Sequence, residues 1–278
     1  MTLKSNNVLR HGRFVGIAMF AAGLVFASPS ADAANKADAK KFAATNKCPG
    51  CNLDGIKLKF ARLNGADLKG ASLKGANFSR AELKNADLSD AILTDADFSG
   101  AVMEGINLSN ADLTEAGLER AFMKGAVAVQ AIFIKAELEQ ANLENANLAG
   151  ANFSKAELPD AVFLAADLSG ANFTDADLSG AKLTDVKMPG VILRGADLEA
   201  ANLERTNIEN GDLRDAELGR ARMQNANLKG GNLSGADFRK TNIMAATLDG
   251  AKLDGTDFSG ARWIDGRKCG SGSKGLCK

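Results

Sequence analysis

The feature that most constrains the fold is a strict period of five that runs from Cys51 to Trp263. Every fifth residue from Leu53 onward is large and apolar, usually Leu or Phe, over about 43 positions. Ala128 is the one clear departure from this rule. A small residue, usually Ala, stands two places before each large one, and no insertion shifts the phase. The chain is therefore built from one short repeated unit.

A period of five fits neither of the regular secondary structures. An α-helix repeats its apolar face every 3.6 residues and a β-strand every two, so a period of five drifts off any face of either. The period suits a chain that turns a corner every five residues and buries one large and one small side chain each time. Four such corners would close a square coil of about 20 residues, which is within the range of solenoid repeats.

The two residues after each large one have the chemistry of a turn. Pro189-Gly190 is the type II signal, because Pro presets the first φ and Gly accepts the positive second one. Other corners carry a charged residue in the second place, and for these the sequence predicts a different turn type; they include Arg80, Glu115, Arg120 and Lys240.

The repeated units resemble those of the pentapeptide-repeat family. Ala-Asp-Leu-Ser-Gly, Ala-Asn-Leu-Glu-Asn and Ala-Asn-Phe-Thr-Asp all occur, and the resemblance covers residues 51–263. It implies an all-β fold, a right-handed quadrilateral parallel β-helix. If a coil holds 20 residues, side chains 20 apart stack on one another. Phe133, Phe153 and Phe173 would then form an aromatic ladder.

Residues 1–33 resemble a secretory signal peptide. Lys4, Arg10 and Arg13 precede the apolar run 14–27, which is short for a membrane span. Ala31-Asp32-Ala33 supplies a small-x-small cleavage pattern. An uncleaved anchor is the alternative. The sequence predicts a protein exported to the periplasm or secreted, with no membrane attachment after cleavage near Ala33.

The rest of the chain divides into three parts. Residues 34–50 form a leader, either a short helix laid over the open end of the coil or a disordered segment. Residues 51–263 form a single rod, because the phase of the repeat is unbroken. Residues 264–278 form a Gly- and Ser-rich tail.

Four cysteines lie just outside the repeats or at their edge. Cys48 and Cys51 form a CxxC motif, but no thioredoxin-like context accompanies it, and Asn52 stands where a c-type haem site needs His. Export favours a local structural disulfide instead. Cys269 and Cys277 are expected to pair with each other. A four-cysteine zinc site is disfavoured, because the two pairs lie at opposite ends of a rod of ~50 Å.

The chain lacks the residues that most catalytic sites need. His11 is the only histidine and lies in the predicted signal peptide, so a mature chain has no base for serine or cysteine nucleophiles. There is no GxxxxGK phosphate loop, and the carboxylates recur as repeat residues without a distinctive pair. We expect a non-enzyme with no cofactor and no metal.

One group of outward positions is apolar where most others are polar. Its members lie close together in the sequence and are Phe122, Val127, Val129, Ile132 and Ile134. An apolar patch with a polar rim can mark a contact surface. The alternative is a degenerate coil whose outward residues are merely tolerated. The partner would be an unidentified protein, and a second copy of this chain is one candidate.

Charge is unevenly distributed along the chain. The net charge is about +7 over residues 34–84, −12 over 85–181 and +3 over 182–278. The sequence therefore predicts a rod with an acidic middle between basic ends. A simple solvated surface would also account for this pattern.

Two classes of function remain. The first is an exported structural or protein-interaction rod. The second follows from the family resemblance, since some pentapeptide-repeat proteins mimic DNA and bind topoisomerases. The predicted signal peptide and the near-zero total charge argue against the mimic, and we expect no nucleic-acid partner. Ice binding would need ranks of Thr, which the column Asp54, Lys74, Thr94, Thr114 does not supply.

Overall fold

The structure, a computed structural model, describes residues 35–278. The predicted signal peptide, residues 1–33, lies outside the described residues. One helix, α1, spans Lys36–Thr45. After it, strands are reduced to single bridging residues, one in every five, from Lys47 to Arg262. The repeat region is thus all-β, without a continuous strand.

Each bridging residue pairs in parallel with the residue twenty places further along. Asn107, Val127 and Asn147 form one such series. Because there are four bridging residues in twenty, each coil has four sides, which confirms the predicted square coil. The backbone bonds every coil to both neighbours: Leu148 N donates to Asp167 O at 2.8 Å, and Asn147 N donates to Ala126 O at 2.9 Å.

The corners are tight turns that share one backbone feature. At a glycine corner, Ala151 N donates to Leu148 O at 3.0 Å, and Gly150 has φ +68°. Corners without glycine have the same left-handed φ, as at Arg120 (+56°) and Glu115 (+59°). The expected change of turn type therefore does not show in this angle. The fold imposes the left-handed φ whichever residue occupies the corner.

The large and small residues of the repeat fill a continuous core. Even the undersized Ala128 is fully buried. The predicted aromatic ladder is confirmed: the ring centroids of Phe133 and Phe153 lie 4.6 Å apart, and those of Phe153 and Phe173 lie 4.8 Å apart, with nearly parallel planes. Phe238 and Phe258 are also twenty residues apart and pack together in another column, but their ring planes are tilted by 50° to each other.

The rod has four sides, and each is named here by its first bridging residue. Side A begins at Lys47, side B at Asn52, side C at Lys57 and side D at Arg62. Each side also includes the corner residues that come directly after its bridging residues. Residues that differ by twenty lie on the same side.

Helix α1 covers the N-terminal end of the rod. Asn35 caps it by accepting a hydrogen bond from Ala37 N at 2.9 Å, and Phe42 is buried. Asp38 Oδ2 accepts from Asn52 N at 3.0 Å, which ties the helix to the first coil. Of the two interpretations of the leader, the structure has the helical one. Within the described residues no helix is long and apolar enough to cross a bilayer.

The tail folds back over the C-terminal end. It forms two antiparallel bridges with the last coil, Asp257 to Lys274 and Arg262 to Lys268. The sulfur atoms of Cys269 and Cys277 lie 2.06 Å apart, and those of Cys48 and Cys51 lie 1.99 Å apart. Each predicted pair is thus placed at bonding distance. Formation of the two disulfides in the exported protein stays a prediction.

Candidate functional site

Side C carries a column of carboxylates that runs along most of the rod. The bridging position of this side is acidic in eight of nine consecutive coils: Asp97, Glu137, Glu157, Asp177, Asp197, Glu217, Asp237 and Asp257, with Gly117 as the exception. We call this set the acidic column. Coils lie one strand spacing apart, so neighbouring carboxylates repeat every ~4.8 Å.

The gap at Gly117 is filled by a carboxylate from the same coil. A Cβ atom at Gly117 would lie 3.1 Å from Glu119 Oε2, so the Glu119 side chain occupies the space that a bridging side chain would take. The same oxygen accepts a hydrogen bond from Ser99 Oγ at 3.0 Å. Glu119 thereby continues the column between Asp97 and Glu137.

Hydrogen bonding to the backbone explains why these positions hold a short polar residue, but it does not explain why that residue is charged. Asp97 Oδ1 accepts from Ser99 N at 2.9 Å, and Asn152 on side B accepts from Ser154 N in the same way at 3.0 Å. This bond satisfies an amide that the ladder leaves free, and Asn makes it as well as Asp. Side A accordingly has Asn at several bridging positions, whereas side C has none from Asp97 to Asp257. Glu137 is exposed and makes no such bond.

Several carboxylates on the other three sides have basic partners. Lys124 Nζ lies 2.9 Å from Glu144 Oε1 on side D, and Lys187 Nζ lies 2.7 Å from Asp167 Oδ2 on side A. On side B, Lys135 Nζ lies 2.7 Å from Glu115 Oε1. The acidic column differs: within residues 35–278, Asp237 is its only member with a basic nitrogen within 4.0 Å, from Arg239.

The uncompensated charge of the column affects its own ionisation. The charge of Glu119, together with burial and a hydrogen bond between the two carboxyls, raises the pKa of Glu137 above its ordinary value. Asp212, on side B, shows the opposite effect, because hydrogen bonds from Arg214 lower its pKa. Within residues 35–278, seven of the eight carboxylates of the acidic column therefore have no ion pair to neutralise them.

The apolar outward residues predicted as a contact region do not form one patch. They lie within a single coil but on three sides: Phe122 on side D, Val127 and Val129 on side A, Ile132 and Ile134 on side B. Phe122 is 51% exposed and Val127 39%, whereas the other three are half-buried. A flat partner could cover only one of these sides, so their role in a contact stays a prediction.

Other arrangements that could bind a ligand are weak in the described residues. The one group of metal-ligating type within residues 35–278 comprises Asp38, Cys48 and Cys51, and its two sulfurs lie at the distance of a disulfide bond, which would leave neither free to ligate. A cleft of about 190 Å³ on side C is lined mainly by charged side chains, including Glu217 and Arg220. It offers none of the apolar lining that small-molecule sites usually have.

The acidic column could have been found in the sequence by comparing residues twenty apart. Summing the charge over consecutive segments did not show it, because each segment mixes residues of all four sides. The acidic middle of the sequence, residues 85–181, contains carboxylates of all four sides. Sorting them in steps of twenty separates the column on side C from the carboxylates of the other sides, several of which are ion-paired. The acidic middle of the sequence thus includes part of a column that continues on side C as far as Asp257.

Comparison with known proteins agrees with the repeat pattern. The sequence model of the family described as Pentapeptide repeats matches in eight copies, over residues 51–90, 91–127, 118–148, 146–185, 184–220 and 221–260. A comparison with curated proteins gives no match. No catalytic family is found.

Three solved structures illustrate the likeness. HetL, a pentapeptide repeat protein involved in heterocyst differentiation regulation from the cyanobacterium Nostoc sp. strain PCC 7120, is 32% identical over 84% of this chain and 99% of its own, with a TM-score of 0.32. QnrB1, a plasmid-mediated fluoroquinolone resistance protein, is 19% identical over 68% and 88%, with a TM-score of 0.31. A pentapeptide repeat protein from the Arabidopsis thaliana thylakoid lumen is 36% identical over 38% and 66%, with a TM-score of 0.20.

The family assignment rests on the matched repeats and on the identity with HetL, and the low TM-scores contribute nothing to it. The chain is a member of the pentapeptide-repeat family.

Proposed function

We propose that this protein is an exported, non-enzymatic interaction rod that binds a basic protein partner through side C. The stacked coils hold the carboxylates of the acidic column at fixed spacing, so the surface is ordered before the partner arrives. The right-handed sense of the coil, which the family implies, and the cleavage of residues 1–33 belong to the same proposal.

The proposal rests on one observation: the residues of the acidic column are charged, although the fold requires only a short polar side chain at these positions. Neighbouring carboxylates at about this spacing repel each other by about 1 kcal/mol even in bulk water. Asn in place of the Asp members would avoid that repulsion and keep the backbone hydrogen bond, as Asn107 does on side A by accepting from Ser109 N. A partner of positive charge would offset the repulsion and would be steered to this face.

A second candidate function is DNA mimicry toward a topoisomerase, as the family resemblance suggests. The regular carboxylate spacing on side C favours it. The predicted signal peptide and the ion pairs on sides A, B and D count against it, because mimicry needs an acidic surface along much of the rod. Cell fractionation separates the two: an unprocessed protein in the cytoplasm would favour the mimic.

The binding face can be tested by removing three charges from side C. The test variant carries Glu137→Gln, Glu157→Gln and Asp177→Asn, and its partner is captured by crosslinking and pull-down from the exported fraction. We expect the captured amount to fall at least tenfold relative to the parent chain. The parent interaction should also weaken as salt rises, because exposed charges are screened.

The matched control removes three charges from other sides of the rod. Asp87→Asn lies on side A, and Asp112→Asn and Asp175→Asn lie on side B; none of the three carboxylates has a basic nitrogen within 4.0 Å in the described residues. This variant should retain the partner. Equal loss in both variants would mean that net charge matters and not side C, and equal retention would exclude the acidic column as the binding surface.

A further inference from the structure

The tail covers the C-terminal edge of the rod on two of its four sides. Three backbone donors of the last coil on sides C and D reach tail carbonyls: Phe258 N to Ser273 O at 2.8 Å, Gly260 N to Cys269 O at 3.1 Å, and Trp263 N to Arg267 O at 2.8 Å. Tail amides donate back to the coil, Gly275 N to Thr256 O and Cys269 N to Ala261 O, each at 2.9 Å. Among the edge donors on these two sides, only the corner amide of Asp265 has no backbone partner in residues 35–278.

The equivalent groups on sides A and B, ten residues earlier in the coil, have no partner among residues 35–278. They are the amides of Leu248, Gly250 and Leu253 and the carbonyls of Ala246 and Ala251. We call these five groups the open edge. One coil earlier, the same positions are paired, with Leu228 N donating to Thr247 O at 2.8 Å and Gly230 N donating to Asp249 O at 2.9 Å.

The apolar core is also less covered at the open edge. Leu248, Ala251 and Leu253 are only partly buried, whereas Leu228 and Leu233, one coil earlier, are fully buried. Unpaired backbone groups beside uncovered apolar side chains are the features that let a sheet edge accept another strand. The open edge therefore lacks both its hydrogen-bond partners and its apolar cover.

The shape of the C-terminal end limits which kind of partner can bind at the open edge. The tail stands one strand layer above the last coil on sides C and D, so it would hold the flat end of a second copy away from sides A and B. A single extended segment, one strand deep, would occupy the same layer as the tail. The tail itself demonstrates the pairing, because it meets this edge in the antiparallel sense at Asp257 and Arg262.

We propose that the open edge binds an extended peptide segment of another protein as an antiparallel strand. The segment accepts hydrogen bonds from Leu248 N, Gly250 N and Leu253 N and donates to Ala246 O and Ala251 O. Apolar side chains of the segment pack on Leu248 and Leu253. This site lies at the end of the rod and is separate from the acidic column.

Amide hydrogen exchange on the full chain tests the proposal. We expect the amides of Leu248, Gly250 and Leu253 to exchange within about tenfold of free-peptide rates, and those of Phe258 and Gly260 to be strongly protected. The probe is a synthetic peptide with the sequence of residues 265–278, oxidised at its two cysteines. It should slow exchange at the open edge by at least about tenfold and leave the tail-covered amides unchanged.

A variant and a control peptide complete the test. Ala251→Lys places a charged side chain where the segment would pack, so it should abolish the effect of the probe, whereas Lys252→Ala, an exposed change, should not. A probe with N-methylglycine in place of Gly275 lacks the donor amide but can still adopt the φ of +67° found there, so it should bind at least tenfold more weakly. Protection of the open-edge amides without any peptide would overturn the proposal. So would no slowing by the probe at millimolar concentration.

Discussion

Phe133 and Phe153 are twenty residues apart in sequence, yet their rings stack with centroids 4.6 Å apart and planes 4° from parallel. The contact shows how the rod is stabilised. Each core side chain packs on the same type of side chain in the coils before and after it. Stability then depends on nearest-neighbour contacts between coils, as in other solenoids.

Truncation in the middle of the aromatic ladder should be severely destabilising. Phe153 is fully buried and stacks on both Phe133 and Phe173. We expect Phe153→Ala to lower the free energy of unfolding by about 3–5 kcal/mol, from lost burial and a cavity. Denaturant unfolding followed by circular dichroism measures it. Lys155→Asn, at an exposed corner with φ +59°, should change stability by less than about 0.5 kcal/mol. Similar losses in both variants would contradict the assigned core register.

Glycine should stabilise corners that now hold alanine. Ala200 has φ +58°, a conformation that costs an L-residue roughly 1–2 kcal/mol. Ala200→Gly should therefore raise the free energy of unfolding by about 0.5–1 kcal/mol, after the entropy cost of glycine is subtracted. The neighbouring Ala201→Gly, in the core and without a positive φ, should lower it by about 1 kcal/mol. Thermal unfolding of the two variants must give shifts of opposite sign for this account to hold.

The carboxylates of side C should make stability depend on pH in a defined direction. The pKa of Glu137 is raised in the fold, mainly by the charge of Glu119, so the ionised form is destabilising. The penalty is complete above the raised pKa and disappears as pH falls through it to below the ordinary carboxyl pKa. Glu137→Gln should thus stabilise the protein at pH 7 by a few tenths of a kcal/mol, less in high salt.

That gain should vanish in acid, where the parent carboxyl is already neutral. Glu104→Gln is the matched control, because Lys84 Nζ lies 2.8 Å from Glu104 Oε2. Removing this paired charge should not stabilise the protein at pH 7. Urea unfolding at pH 7 and pH 3 distinguishes the two cases. Stabilisation by Glu137→Gln that persists at pH 3 would point to packing instead of charge repulsion.

Two local disulfides are expected in the exported protein, Cys48 to Cys51 and Cys269 to Cys277. Peptide mapping without reduction should find both. Loss of the second pair by Cys269→Ser with Cys277→Ser should release the tail, at a cost of about 2 kcal/mol because the closed loop is short. Amides of the last coil, such as Phe258 N, should then exchange faster. Free thiols, or a bridge between the two ends, would refute the pairing.

The apolar residues of the coil 121–140 can be tested side by side. Phe122→Ser changes side D and Ile132→Ser changes side B. If one of these sides contacts a partner or a second copy, one variant should weaken association, measured by sedimentation or pull-down, while circular dichroism shows an intact fold. Phe122 has the larger exposed area and hence the larger expected effect, at ~25 cal/mol for each Å² withdrawn from water. Unchanged association in both would mean that the residues are merely tolerated.

The period of five by itself determined the square coil, the core register and the aromatic ladder. Each large residue such as Leu148 fills the same place in its coil, so local chemistry repeated in phase is enough to specify the architecture. The turn residues and the approach of the cysteines within each pair could be predicted for the same reason, because both depend on neighbours close in sequence; formation of the disulfides stays a prediction.

Only the tertiary structure decided which side each surface residue faces and what it meets there. Glu119 and Glu137 belong to different coils, and their interaction depends on the space left at Gly117. Lys187 neutralises Asp167 one coil away, whereas no basic nitrogen of residues 35–278 lies within 4.0 Å of Glu157. The half-capped end depends on where residues 267–275 fold back. Surface charge and edge pairing follow from distances between coils, and a coil brings together residues that are twenty apart in the chain.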